Sequence, residues 1–444
     1  MGRLFGTDGV RGIAGTELTR ELATGLGRAA VTVLGRHGSA RPVIVVGRDP
    51  RESGEWLEDA LTEGIRRAGG DVLLTGVEPT PAIAYMTVDL GASAGVVISA
   101  SHNPATDNGI KFFSRAGMKL PDAIEDEMEA ALDEPATDVA EPDHGRILPF
   151  ADARERYVEH LLGASLAPLA GMRVVVDCAN GSASAVAPDL LRRLGAEVTA
   201  IHADPNGTNI NDGCGALHPD VVAAEVVRLD ADAGVSHDGD ADRALFADAG
   251  GNVIDGDQVL AACAIGLHDA GELAGDTVVA TVMSNIGFER AMTEHGIHVA
   301  RTKVGDRYVL EEMERGGFVL GGEQSGHVIF RRHATTGDGL LTAVRFLSLA
   351  AATGATVGEL AGVMRRYPQV MLNVQVADRE AVASSTAVVT AVDNAEAVLG
   401  DGGRVLLRPS GTEPLVRVMV EAETEDDARA HAEAIAAVVG AVEG

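Results

Sequence analysis

Residues Gly95–Phe113 read G-V-V-I-S-A-S-H-N-P-A-T-D-N-G-I-K-F-F. The apolar run Val96-Val97-Ile98 is of the kind a buried parallel strand uses. It stops at Ser99-Ala100-Ser101-His102-Asn103-Pro104, where small and turn-forming residues make a tight loop. Open α/β sheets place their ligands in such loops, at the carboxyl ends of strands. The loop offers a hydroxyl, Ser101, then an imidazole, His102, then an Asn-Pro turn. Asp107-Asn108-Gly109 reads as a second turn, with Lys111 behind it. A serine nucleophile needs backbone placement, a charged neighbourhood and a partner for its proton, and this stretch has a candidate for each. The bland alternative is a polar turn after a strand, so the rest of the chain decides.

Outward from this stretch one order of elements occurs three times. Pro42–Val46 reads as a strand, Ser53–Ala68 as a helix and Asp71–Leu74 as a strand. Met172–Val176, Ser184–Leu194 and Glu197–Ile201 repeat the order, and Thr277–Val282, Asn285–His295 and His298–Thr302 repeat it again. The helices stop at Gly69-Gly70, Gly195 and Gly296. Each unit is followed by one more strand running into a Gly-, Ser- or Asp-rich loop: Ser99–Pro104, Ser236–Arg243 and Gly321–His327. The expected fold is therefore α/β, with three similar α/β domains each presenting one loop from a comparable strand end. After Pro368 the texture changes. Strands over Val370–Val376, Arg404–Leu407 and Val416–Val420, a helix over Glu380–Leu399 and a closing Ala-rich helix capped by Thr424 predict a small α+β domain. The expected boundaries are 1–153, 154–254, 255–367 and 368–444.

The loops carry the chemistry. Phe5-Gly6-Thr7-Asp8-Gly9-Val10-Arg11-Gly12 reads as a loop whose backbone approaches an anion closely, with Arg11 to bind it. In Ser236-His237-Asp238-Gly239-Asp240-Ala241-Asp242-Arg243, three alternate aspartates offer oxygen ligands to one hard divalent cation, and Arg243 faces the same anion. An EF-hand is excluded, because Arg243 stands where its glycine belongs and Ala249 where its bidentate Glu belongs. An aspartyl-phosphate enzyme with Asp238 as nucleophile stays open. Gly321–His327 sets Glu323, Gln324 and Ser325 between glycines, fit to hydrogen-bond sugar hydroxyls, with His327 able to move a proton. Lys303 lies in a basic run, Arg301–Arg307. Arg408-Pro409-Ser410-Gly411-Thr412-Glu413-Pro414 combines an Arg, two hydroxyls and a Gly backbone as a phosphate clamp. A P-loop is absent. Gly25-Leu26-Gly27 lacks a third glycine and sits in a helical pattern, which excludes a dinucleotide fingerprint.

Composition narrows the partners. The 444 residues are 46% hydrophobic and 3% aromatic, so the cores are built from aliphatic residues in several domains. The net charge of −30 argues against nucleic acid or an anionic membrane as partner. With three lysines in all, it suggests a salt-adapted, halophilic protein. Cys178, Cys214 and Cys263 are scattered, so neither a zinc site nor a disulfide framework is expected, and a reducing cytoplasm is the expected location. The N-terminus has no apolar core of a signal peptide, and no run approaches a membrane span.

Five motifs in this order, G-T-D-G-V-R-G, S-A-S-H-N-P with D-N-G-I-K, D-G-D-A-D-R, G-G-E-Q-S-G-H and R-P-S-G-T-E-P, resemble those of the α-D-phosphohexomutase superfamily over essentially the whole chain. The Gln in G-E-Q-S-G-H is similar to the phosphoglucosamine mutase branch, and the acidic surface to archaeal members. The resemblance implies four domains around a central active-site cleft. It implies that Ser101 is a phosphoserine and that Asp238, Asp240 and Asp242, with an oxygen on Ser101, hold one Mg²⁺. It gives Arg243 a charge-stabilising role, Arg11 and His102 a place beside the phosphoserine, and makes Lys111 and His327 the acid/base candidates. Glu323 and Ser325 read the sugar, Lys303 contacts phosphate, and Arg408, Ser410, Gly411 and Thr412 hold the phosphate that is not reacting. The implied activity interconverts glucosamine 6-phosphate and glucosamine 1-phosphate through a 1,6-bisphosphate, which also serves as activator; a homodimer is implied by the same analogy. The alternatives are a phosphomannomutase/phosphoglucomutase of the same fold and a non-catalytic sugar-phosphate-binding protein.

Overall fold

Aliphatic runs five to seven residues long, spaced by amphipathic helical stretches, become four sheets in the computed structural model, which describes residues 3–6, 8–135, 138–410 and 413–442. The strands are β1 (Val10–Ile13), β2 (Val43–Arg48), β3 (Asp71–Val77), β4 (Ala94–Ile98), β5 (Asp107–Ser114) and β6 (Ile147–Pro149) in the first sheet. The second holds β7 (Arg173–Asp177), β8 (Glu197–Ile201), β9 (Ala233–His237), β10 (Ala244–Asp248) and β11 (Val253–Ile254). The third holds β12 (Thr277–Thr281), β13 (His298–Thr302), β14 (Leu320–Gly322) and β15 (Val328–Phe330). The last is formed by β16 (Gln369–Gln375), β17 (Arg404–Pro409) and β18 (Leu415–Glu421). The sheet orders are β1-β5-β4-β2-β3-β6, β11-β10-β9-β7-β8, β13-β12-β14-β15 and β16-β18-β17.

The threefold repeat is a repeat of topology. β2, β7 and β12 each lie between two parallel neighbours: β3 and β4, β8 and β9, β13 and β14. The loop-bearing strands β4, β9 and β14 then pair antiparallel with the strand that returns from the loop, β5, β10 and β15. Each loop is thus a connection at the carboxyl end of a parallel strand. All five residues of β4 are buried, as expected of a strand covered on both faces. In the first domain the helices Arg20–Arg36 and Glu52–Arg67 pack backbone to backbone. A Cβ on Gly27 would meet the Leu61 carbonyl at 2.2 Å and one on Gly64 the Thr24 carbonyl at 2.1 Å, so both positions require glycine. Leu26, Leu57, Leu61 and Ile65 of those helices join Ile44, Val46, Val96 and Ile98 of the sheet in one core.

Four expectations change. Arg11 lies on β1 rather than in a loop, opposite Gly109. Asp107–Gly109 begins β5 rather than making a turn, because β1 and β4 both pair with β5. The helix expected over Ser184–Leu194 divides into a 3-10 turn, Ser182–Ala185, and a helix, Ala187–Arg193, with Pro188 in its first turn. That over Glu380–Leu399 divides into Arg379–Ala383 and Thr386–Leu399, because Ser385 caps the second by accepting from the Val388 N–H.

The chain forms two compact units, residues 1–282 with 297–362, and residues 283–296 with 363–444. In the second unit the helix Ile286–Glu294 belongs with the C-terminal sheet. Its cap residue, Asn285, donates to buried Glu421 (3.2 Å), whose other oxygen accepts from the Ile286 N–H and from Arg404 Nε. No helix among the described residues is long and apolar enough to cross a membrane.

Candidate active site

Ser101 leaves the end of β4 with φ +50°, a left-handed conformation that costs a residue with a Cβ roughly 1–2 kcal/mol. Buried polar groups hold it there. Its N–H donates to Ser99 Oγ (2.9 Å), and Ser99 Oγ donates to Asp49 Oδ2 (2.6 Å). Asp49 pairs with Arg51 at 2.9 Å, both fully buried. The Arg51 guanidinium then donates to the carbonyls of Ser101 (3.0 Å), Asn103 (2.8 Å), Asp107 (3.0 Å) and Pro104. Asn211 Nδ2 donates to the Ser101 and Asn103 carbonyls as well, at 2.9 and 3.0 Å. Asp49, Arg51 and Asn211 lie outside the motifs read from the sequence; the trace of them is G-R-D-P-R at 47–51, a charged turn at the same sheet edge as the serine loop.

The aspartate loop meets this serine. Ser101 Oγ donates to Asp238 Oδ2 at 2.5 Å. Asp238, Asp240 and Asp242 are all buried, and one oxygen from each lies within 4.8 Å of the others. Asp240 Oδ2 accepts from Thr80 Oγ1 (2.6 Å) and Lys111 Nζ (3.2 Å). Asp240 Oδ1 and Asp242 Oδ1 are buried with no hydrogen-bond partner among the described residues. Burial, then the charges of Asp242 and Asp240, push the Asp238 carboxyl well above the usual carboxylate range. Three crowded carboxylates with two orphaned oxygens fit a hard divalent cation that prefers oxygen ligands. The loop is held by His237, whose Nδ1 donates to the Arg243 carbonyl (3.0 Å); burial pushes that imidazole down to about 4, so it is neutral.

Cationic groups surround the pair of loops. Burial alone would lower the Lys111 ammonium, but Asp240, Asp8 and Asp242 outweigh it and hold it above its ordinary value. Arg243 Nε stands 3.7 Å from Asp242 Oδ1, and Arg11 Nη2 donates to Asp8 Oδ2 at 3.0 Å. The Nε of each arginine is buried without a hydrogen-bond partner among the described residues. His102 Nδ1 lies 3.4 Å from Ser101 Oγ, and burial together with Arg243 and Arg11 holds this ring below its ordinary pKa. An oxyanion between these groups satisfies donors that the protein leaves open.

The third loop closes the site from the other side. His327 Nδ1 faces Asp242 Oδ2 at 3.6 Å, and the Gly337 N–H donates to its Nε2 at 3.1 Å. Burial lowers this imidazole and Asp242 raises it by more. Donation by Gly337, however, requires a bare Nε2, so the ring as placed carries one proton, on Nδ1. Glu323 Oε1 accepts the Gly305 N–H (3.0 Å), and Ser325 Oγ is buried with no partner among the described residues. Asp8, Lys111, Asp242, Asp306, Arg307 and His327 line a cleft open to solvent. Lys303 is exposed, with its ammonium 6.0 Å from the Tyr308 ring, and is not among the residues lining that cleft.

In the second unit Arg408 on β17 stands directly opposite Arg417 on β18. Burial and then Arg417 lower its pKa. Like charges opposed across a ladder are destabilising without an anion between them. Ser410 is buried and its Oγ accepts the Glu413 N–H at 3.2 Å. Gly411 and Thr412 lie outside the described residues.

Family models described as phosphoglucomutase/phosphomannomutase match in chain order: domain I over residues 2–138, domain II over 155–251, domain III over 255–367 and the C-terminal domain over 371–438. The chain belongs to this phosphoglucomutase/phosphomannomutase family. Among its relatives, the phosphoglucosamine mutase of Frankia alni is 56% identical over 99% of both chains, and that of Saccharopolyspora erythraea 56% identical over the full length of both. The phosphoglucomutase/phosphomannomutase family protein of Burkholderia thailandensis superposes with a TM-score of 0.82 at 25% identity, covering 99% of this chain and 97% of that one. N-acetylphosphoglucosamine mutase of Aspergillus fumigatus, solved with GlcNAc-6P and magnesium, shares the fold with a TM-score of 0.71 at 18% identity, covering 99% and 96%. The relatives from Frankia, Saccharopolyspora, Streptomyces and Rhodococcus are bacterial, which does not support the archaeal kinship expected from the acidic surface. Net charge is a bulk property and does not mark lineage.

Proposed function

We propose that this enzyme interconverts glucosamine 6-phosphate and glucosamine 1-phosphate, through a phosphorylated Ser101 and glucosamine 1,6-bisphosphate. The observation that carries the reading is the 2.5 Å contact of Ser101 Oγ with Asp238, inside three buried carboxylates and beside Arg243 and Lys111. The choice of sugar rests on the full-length identity of 54–56% to phosphoglucosamine mutases. Asp238, Asp240 and Asp242, with an oxygen on Ser101, would hold Mg²⁺, which neutralises charge on a phosphoryl group in transfer.

In the forward step the bond from phosphorus to Ser101 Oγ breaks, a bond from phosphorus to a sugar hydroxyl oxygen forms, and the proton lost by that hydroxyl ends on Ser101 Oγ. The bisphosphate turns around, and its other phosphoryl group returns to Ser101. Arg243, Arg11 and Lys111 hold the charge on the oxygens in transfer. Lys111 does so as a cation, since Asp240 keeps its proton in place. His327, with Asp242 on one nitrogen and Gly337 on the other, orients the aspartate loop; His102 supports the serine. Glu323 and Ser325 would meet sugar hydroxyls, Lys303 a phosphate, and Arg408 with Ser410, Gly411 and Thr412 the phosphate that is not reacting.

The test is turnover on glucosamine, glucose and mannose phosphates, side by side, with Mg²⁺ and a trace of sugar bisphosphate. Preference for glucosamine phosphate is expected. Preference for glucose or mannose phosphate keeps the mechanism and overturns the sugar.

A further inference from the structure

The second domain gathers three metal-ligating side chains of different kinds that the proposed reaction does not use. Asp177 ends β7, His202 follows β8, and Cys214 lies in the loop before the helix Pro219–Leu229. One carboxylate oxygen, one imidazole nitrogen and the thiol sulfur all lie within 4.8 Å of one another. Asp177 and Cys214 are fully buried, whereas the His202 side chain is 35% exposed. The carboxylate is fixed: Oδ1 accepts the Ala179 N–H (2.9 Å) and Oδ2 the Gly215 N–H (3.0 Å). These bonds account for Asp177 as a loop fastener. The His202 Nδ1 is buried 3.1 Å from Asp177 Oδ2, an ion-pair distance, and the Cys214 thiol lies beside the pair.

We propose that Asp177, His202 and Cys214 bind one borderline transition-metal cation of the Zn²⁺ class, at a site separate from the aspartate triad. A mixed oxygen, nitrogen and sulfur set suits Zn²⁺ or Co²⁺, while Mg²⁺ takes oxygen ligands. Three protein ligands are the number that a tetrahedral ion takes when its fourth position is kept for a solvent ligand. On binding, the sulfur–metal bond forms and the thiol proton leaves to solvent. The ligands come from three segments, which is why the cysteine spacing gave no sign of them. Occupancy bears on Ser101, because the loop that carries Cys214 also carries Asn211, which donates to the Ser101 carbonyl.

The probe is Co²⁺, titrated into reduced, metal-stripped protein in saturating Mg²⁺. One equivalent is expected to develop a near-ultraviolet thiolate-to-cobalt charge-transfer band, which Zn²⁺ displaces. The band is expected to vanish in Cys214→Ser and to persist in Cys178→Ser and Cys263→Ser. His202→Ala is expected to weaken Co²⁺ binding more than about tenfold, since even outer-shell partners of a metal site cost that much. Absence of a charge-transfer band at one equivalent overturns the proposal. So does a band that survives Cys214→Ser or follows Cys178, and so does unchanged affinity in His202→Ala.

Discussion

Replacing Arg51 by lysine keeps a cation opposite Asp49 and removes the fork that holds the serine loop. The guanidinium makes five side-chain donations, one to Asp49 and four to the carbonyls of Ser101, Asn103, Pro104 and Asp107. An ammonium has three protons on one nitrogen, so at least two acceptors lose their donor. Asn211 still serves the Ser101 and Asn103 carbonyls, so the loss falls on Pro104 and Asp107. At about 1.5–3 kcal/mol for each of these two bonds to a charged donor, the variant loses about 3–6 kcal/mol. That is a large part of a domain stability of about 5–15 kcal/mol, yet it leaves a folded protein. The loop that carries Ser101 loses its hold at Pro104 and Asp107, and the Ser101 Oγ shifts relative to Asp238. A displacement of about 1 Å costs on the order of a hundredfold in rate, so kcat is expected to fall about 10–100-fold. KM is expected to stay within about threefold, since Arg51 is fully buried behind the loop and lies outside the cleft lining. Steady-state kinetics and the thermal midpoint measure both effects. Asn211→Ala is the control: it removes two neutral bonds worth about 1–3 kcal/mol while Arg51 still serves the same carbonyls. Wild-type kcat and midpoint in Arg51→Lys, or a larger effect in Asn211→Ala, would refute the assignment of the guanidinium as the clamp.

Three further outcomes are expected. Ser101→Ala abolishes turnover with the fold intact by circular dichroism; retention of a sizeable fraction of activity removes Ser101 as the phosphoryl carrier. Arg408→Ala weakens sugar-phosphate binding by about 1.5–3 kcal/mol, read as a raised KM, and an unchanged KM dismisses the clamp. Glu78 sets a pH dependence of stability. Burial lifts its carboxyl from 4.5 to about 7 despite Arg154 at 3.0 Å. The folded state therefore binds the proton more tightly than the unfolded state, and stability falls as pH rises from 4.5 to about 7, by about 3 kcal/mol. Glu78→Gln mimics the protonated form, so it should match the wild type near pH 4 and exceed it above pH 8; a pH-independent difference between the two midpoints contradicts this.

The repeated unit and its loops were legible in the order of residues alone. Strand and helix periods are local, so Val43–Arg48, Glu52–Arg67 and Asp71–Val77 and their two later counterparts were readable one by one. Asp238, Asp240 and Asp242 were readable for the same reason, since alternate spacing brings their carboxylates together within one short loop. Tertiary structure alone decided which loops meet. Ser101 reaches Asp238 across 137 residues, and Lys111 reaches Asp240 across 129. It also decided that Arg11 and Asp107 sit on paired strands, because a ladder is completed by partners distant in the chain. The clamp of Arg51 and Asn211 was hidden for a further reason. Their acceptors are backbone carbonyls, which every residue carries and no side-chain pattern records. Asp177, His202 and Cys214 share that obscurity: the end of β7, the residue after β8 and the loop that follows each contribute one ligand, and only the folded sheet brings the three together.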